Sequence, residues 1–257
     1  MPRTTIFRNG SVYDAYFKQF RRADVRVEDG IIAAVIDRED EGATNDIAIE
    51  ASSNDATTGT SSNDASTGTF SNDATIVDIT GKYIVPGLVD CHMHVESSML
   101  TPVAFSEAVL SHGVTTLIAE PHEIANVFGL EGIEVMLRNS DRCDVDIRLA
   151  IPSSVPSTSA ALETTGGQIT TEEVAQLLTH PKTICLWEIM NCKELITDPK
   201  SRTRAIVDLV RTMRPDLPIE GHCPAFMGEE LAAIIRHGVT ADHTEQTPER
   251  IEARVRN

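Results

Sequence analysis

The chain has 257 residues, 39 acidic and 22 basic, and a formal charge of -17. At 41% hydrophobic and 24% charged it has the composition of a globular protein able to bury a core. That charge repels phosphate and excludes a nucleic-acid polymer as partner, and no run of about 18 apolar residues is present to span a membrane. The first seven residues lack the apolar run of a secretion signal. The five cysteines form no CxxC pair, which suits reduced thiols and a cytoplasmic location. Five lysines against 17 arginines, with acids in excess in both halves, predict a chain adapted to high salt.

In chain order, the first pattern is β. Ala23, Val25 and Val27 alternate with Asp24, Arg26 and Glu28, the period of a half-buried strand. Asp29-Gly30 then predicts a hairpin turn into a second apolar run, 31–36. Residues 39–75 change character: Ser, Thr, Asn, Ala and Gly dominate, Lys and Arg are absent, and Ser-Ser-Asn-Asp-Ala recurs at 52 and 61. The composition predicts a disordered, solvated insertion. A small N-terminal β-domain is therefore expected from 1–38 and 76–83, with the rest of the fold in 84–257.

From residue 84 onward, short apolar runs alternate with amphipathic stretches, the pattern of repeated β-α units. Strands are predicted at 84–89, 115–119, 146–150, 183–188, 218–220 and 239–242. Helices are predicted to start near Pro102, Ile124, Thr171, Ser201, Gly228 and Pro248. Thr101-Pro102 supplies a cap residue before a first-turn proline. Six units admit either an open, doubly wound sheet or a (β/α)8 barrel of which six units are present.

The chemistry sits at the strand ends. His92 and His94 follow the first strand at a spacing that turns both side chains the same way. Glu188 closes the fourth strand, His222 follows the fifth and His243 the sixth. One HxH pair or one strand-end acid is commonplace. Three strands bringing imidazole and a fourth a carboxylate make a donor set suited to two divalent cations. His112, His180 and His237 lie in or beside helices and are expected to be structural.

The run Lys82-Tyr83-Ile84-Val85-Pro86-Gly87-Leu88-Val89-Asp90, followed by His92 and His94, resembles the amidohydrolase superfamily. Within it, His94-Val95-Glu96-Ser97-Ser98-Met99 and Pro121-His122-Glu123-Ile124-Ala125-Asn126 are similar to metal-dependent adenine deaminases. Glu188-Ile189-Met190-Asn191, Gly221-His222-Cys223-Pro224 and Asp242-His243 continue the match in order.

The resemblance implies an amidohydrolase-type barrel and hydrolytic deamination of adenine to hypoxanthine and ammonia, in purine salvage. His92 and His94 would hold one metal, His222 and His243 another, with Glu188 bridging where other members use a modified lysine. Mn²⁺ is the expected ion, with Fe²⁺ and Zn²⁺ suited to the same donors. Catalytic roles fall to Glu123, His122 and Glu120; Glu96, Ser97 and Ser98 would contact substrate. His122 and Glu123 are expected on the loop after the second strand.

Three positions depart from the family. Glu120 stands where Asp is usual, Trp187 where Gly is usual, and Thr244 where an acid is usual. The resemblance also implies eight strands, the eighth carrying an aspartate, whereas six can be drawn before Asn257. The expectation is a fragment of a longer gene product, with a homo-oligomer as one way to cover the exposed apolar surface. The competing readings are a non-catalytic metal-binding remnant, or another hydrolase of cyclic amides.

Overall fold

The computed structural model describes residues 3–38 and 74–256. Nearly all of the insertion expected at 39–75 lies outside the described residues. The chain divides into two compact units, Met1–Pro86 and Gly87–Asn257.

The first unit is a sheet of β1 (Thr4–Asp14), β2 (Gln19–Glu28), β3 (Ile31–Asp37), β4 (Thr75–Asp78) and β5 (Tyr83–Ile84). Its order is β3-β2-β1-β4, with β5 also pairing β1. The hairpin joins β2 and β3 where expected: Glu28 pairs Ile31 across Asp29 and Gly30, at φ 48° and 83°. Two successive positive φ angles are what a right-twisted two-residue hairpin requires, and Asp-Gly accepts them. Ala23 and Val25 are buried as the alternation predicts, but so is Asp24 between them. Its carboxylate is compensated by Arg38 Nε at 2.9 Å, Arg8 Nε at 3.6 Å and the Asn9 amide at 3.1 Å. A buried acid is tolerable when paired in this way.

The second unit alternates strands and helices: β6 (Leu88–Met93), α1 (Pro102–Leu110), β7 (Val114–Ala119), α2 (His122–Ser140), β8 (Asp146–Pro152) and α3 (Thr171–Leu177). It continues with β9 (Thr183–Ile189), α4 (Cys192–Thr197), α5 (Arg202–Met213), β10 (Ile219–Gly221), α6 (Gly228–Arg236), β11 (Ala241–Asp242) and α7 (Pro248–Arg256). The six strands lie in the order β11-β10-β9-β8-β7-β6, and every pair is parallel. This order decides between the two architectures. A doubly wound sheet reverses its strand order at a switch point; here each strand is added beside its predecessor, as in a barrel. No helix among the described residues is long and apolar enough to cross a membrane.

Caps explain most of the helix starts. The Thr101 hydroxyl accepts from the Ala104 amide at 3.3 Å ahead of Pro102. Thr170 and Glu173 form a reciprocal capping box for α3, and the Ser201 hydroxyl accepts from Arg204 N at 3.1 Å to begin α5. The helices bury an apolar layer against the sheet, including Ile151, Leu186, Ile189, Ile206, Val207, Val210, Ile219 and Ile234, all fully buried.

Three expectations are corrected. The first barrel strand is not 84–89: Tyr83–Ile84 pairs with β1 in the other unit, and the barrel strand is Leu88–Met93. Pro86 supplies no amide to a ladder, so the apolar run is cut there. The helix after β7 begins at His122 rather than Ile124, so His122 and Glu123 open a helix instead of lying on a loop. The short α4, capped by the Asn191 side chain, was not expected.

Candidate metal centre

At the C-terminal end of the parallel sheet, His92 is the penultimate residue of β6 and His94 directly follows the strand, with their Nε2 atoms 3.2 Å apart. Both converge on one carboxylate oxygen. Glu188 Oε1, at the end of β9, lies 3.0 Å from His92 Nε2 and 3.1 Å from His94 Nε2. The other two imidazoles arrive from the far strands. His222 Nδ1 is 3.6 Å from Glu188 Oε2, His243 Nε2 is 3.7 Å from Oε1, and the two nitrogens are 3.1 Å from each other. Two ligand groups result, His92–His94–Glu188 and Glu188–His222–His243, each with donor atoms within 4.8 Å. Both share Glu188.

Four neutral-capable imidazole nitrogens around one buried carboxylate form a donor set that fits divalent transition metals. The electrostatics point the same way. Contact with Glu188, ahead of Glu220, pushes the His92 imidazole up to about 10; Glu188 likewise raises His94 to about 9 against its burial. Burial works to raise Glu188, yet its hydrogen bonds with His92 and His94 outweigh that and hold it well below the ordinary carboxylate range. A carboxylate this strongly anionic, faced by four imidazoles, is a place where positive charge is stabilised.

Backbone and hydroxyl groups hold Glu188 in place. The Ser153 and Ser154 hydroxyls both donate to its carbonyl, at 2.6 and 2.5 Å, and its amide donates to Glu120 Oε1 at 3.1 Å. Glu120 is fully buried, and its Oε2 accepts from His122 Nδ1 at 2.5 Å. His94 Nδ1 donates to the Glu120 carbonyl at 2.9 Å, which leaves Nε2 to face Glu188. Trp187 stacks on His92, ring centroids 4.6 Å apart and planes 21° apart.

The remaining predicted residues gather on one side. Ser97 donates its hydroxyl to Glu123 Oε1, and Glu123 Oε2 lies 3.8 Å from His94 Nδ1. Burial would raise Glu123, but the Ser97 hydroxyl and His122 hold it down. Burial dominates at Glu96 and pushes it up to about 7; its Oε1 accepts the Ile124 amide at 3.3 Å. The Ser98 hydroxyl is occupied by its own turn, donating to the Val95 carbonyl at 2.6 Å and accepting from Leu100 N at 3.2 Å. His122 is also drawn in: burial lowers it, and Glu120 more than compensates.

Residues 83–253 match the amidohydrolase family. The chain belongs to that family. Adenine deaminase 2 of Shouchella clausii is 42% identical over 253 residues, covering 98% of this chain and 39% of that protein. An adenine deaminase of Clostridium perfringens is 40% identical over 252 residues, with the same two shares, 98% and 39%. This amidohydrolase chain thus spans about 39% of the length of these curated relatives. Among solved structures, atrazine chlorohydrolase from Arthrobacter aurescens, complexed with zinc, superposes with a TM-score of 0.55 at 13% identity, covering 96% of this chain and 62% of that one. The 5-methylcytosine deaminase of Klebsiella pneumoniae gives 0.51 at 12% identity, covering 98% and 62%. These distant likenesses establish the amidohydrolase barrel fold. Amidohydrolases are metal-dependent, and the His/Glu groups above can hold metal.

Sequence reasoning missed Ser153, Ser154 and Glu220. Ser153 and Ser154 had a readable signal, two hydroxyls just past the C-terminal end of β8, where this fold builds its sites; Glu220, inside β10, had none of its own. Glu220 forms a further group with His92 and His243.

Proposed function

We propose that this chain carries the metal centre and part of the substrate pocket of an enzyme that hydrolyses adenine to hypoxanthine and ammonia in the cytoplasm. The observation that carries the reading is about 40% identity over nearly the whole chain to proteins named adenine deaminases. Convergence of His92, His94, His222 and His243 on Glu188 supports it. In this reading His92 and His94 would hold one cation and His222 and His243 a second, with Glu188 available to both groups. Mn²⁺ is the ion proposed, with Fe²⁺ and Zn²⁺ suited to the same donors. Bound there, the cations would supply a hydroxide nucleophile near neutral pH.

The chain's own residues do the rest. Adenine takes oxygen from water at C6 and releases its exocyclic nitrogen as ammonia, so protons must move to that nitrogen. Glu123 is the group proposed to carry them. Its Oε1 is fixed by the Ser97 hydroxyl while Oε2 is buried, lacks a hydrogen-bond partner and stands beside His94. His122, fixed by Glu120, flanks it and would contact the purine; Glu96 and Ser97 would line the pocket. Ser98 would contribute shape, since its hydroxyl is engaged elsewhere.

The test is direct. The 257-residue chain, loaded with Mn²⁺ and given adenine, should release ammonia and hypoxanthine, measured by coupled assay and chromatography. A fusion to the remaining segment of the Shouchella clausii protein should be assayed beside it. Absence of product from both forms would refute the reading.

A further inference from the structure

Glu220 lies on β10, two residues before His222, and its side chain is 7% exposed. It is not one of the five ligands of the proposed centre. Its Oε1 is 3.0 Å from His243 Nδ1. Its Oε2 is 3.6 Å from His92 Nδ1. That oxygen and that nitrogen are both buried, and neither has a hydrogen-bond partner. Two unsatisfied polar atoms that face each other inside the protein represent an uncompensated cost unless a small shift joins them.

The rings it touches belong to opposite halves of the centre. His92 comes from β6 and His243 follows β11, yet their ring centroids lie 3.9 Å apart. On each, Nδ1 faces Glu220 while Nε2 faces Glu188, at 3.0 Å for His92 and 3.7 Å for His243. An imidazole whose Nδ1–H is donated to a carboxylate has its Nε2 lone pair free, and which nitrogen carries the proton is set by that bond. His94 reaches the same state by donating Nδ1–H to the Glu120 carbonyl. Among the described residues, Glu220 takes that place at Nδ1 of both His92 and His243.

We propose that Glu220 is a positioning residue that orients His92 and His243 together, holding both Nδ1–H groups so that both Nε2 atoms are presented to the metal centre. One side chain thereby ties the ligand pair from β6 to the pair from β10 and β11. The proposal rests on the reading of these histidines as metal ligands.

The experiment uses the full 257-residue chain, Zn²⁺ as probe, competition with a chelator for affinity, and long-range ¹H–¹⁵N spectra of the imidazoles. Glu220→Gln keeps the volume but can accept through one oxygen only. It should weaken Zn²⁺ binding by about 10–100-fold, the usual cost of losing an outer partner of a ligand. It should also perturb the Nδ1–H signals of His92 and His243 while leaving that of His94 in place. Glu220→Asp should recover part of the affinity, and thermal melts of both variants verify folding. Unchanged affinity and unchanged His92 and His243 signals in Glu220→Gln would overturn the proposal alone, as would Nδ1 ligation in the native chain. A native chain that binds no Zn²⁺ would overturn both this proposal and the reading beneath it.

Discussion

The two histidine pairs are built in different ways. His92 and His94 share one chain segment at the end of β6, a strand of six residues, so their two-residue spacing places both rings on one side without help from packing. His222 and His243 follow separate strands, β10 and β11, of three and two residues. Their side chains are 44% and 23% exposed, against 22% and 21% for the first pair. The second pair exists only because two short strands meet in register, Glu220 opposite Ala241 and Gly221 opposite Asp242. Arg254 of α7 reinforces that meeting, donating from Nε to Asp242 Oδ2 at 2.7 Å and from Nη2 to the Cys223 carbonyl at 2.6 Å. One pair is secured by covalent spacing and the other by tertiary structure.

That contrast can be broken at its centre. Glu188→Gln removes the charge common to both pairs, and it should abolish metal binding at both, beyond the roughly 10–100-fold that loss of an outer partner costs. Metal analysis after gel filtration would measure it; a variant that retains one equivalent would mean the pairs are independent. A core deletion should separate them. Ile219 is fully buried in β10, and Ile219→Ala should cost about 2–5 kcal/mol in urea unfolding. Metal held by His92 and His94 should survive that change better than metal held by His222 and His243. Equal loss at both would contradict the contrast.

Arg254→Ala is the milder version. Losing hydrogen bonds from a charged donor at a partly buried site should cost about 1.5–3 kcal/mol, with the added loss of metal confined to the β10–β11 side. The smallest and least local effect concerns salt. If the charge of -17 reflects adaptation to brine, the melting temperature should rise with KCl for the native chain and each variant alike. Full stability without salt would end that reading.

How much of this was legible depends on which force places each residue. The β-α alternation, the helix caps at Thr101, Thr170 and Ser201, and the Asp29-Gly30 turn are local, so they could be read from neighbouring residues. His92, His94, Glu188, His222 and His243 were visible because each falls at a strand end, although their meeting point was not. The first barrel strand was misplaced since Ile84 and Leu88 are equally apolar, and only pairing partners assign them to different sheets. Glu220 looked like any strand acid, and Trp187 like an obstruction. The ring stacking and the buried carboxylate contacts that give them their roles link residues far apart in the chain.

The monotone strand order of the parallel sheet also bears on time. Each strand pairs with the one made just before it, so pairing proceeds by short loop closures and can follow synthesis step by step. The proposed ligands arrive in the same sequence: His92 and His94 first, then Glu188, then His222, and His243 last. The His92–His94–Glu188 group can therefore be complete once β9 is in place, whereas the Glu188–His222–His243 group is completed only when β11 docks, so the two halves of the proposed centre should become competent at different times.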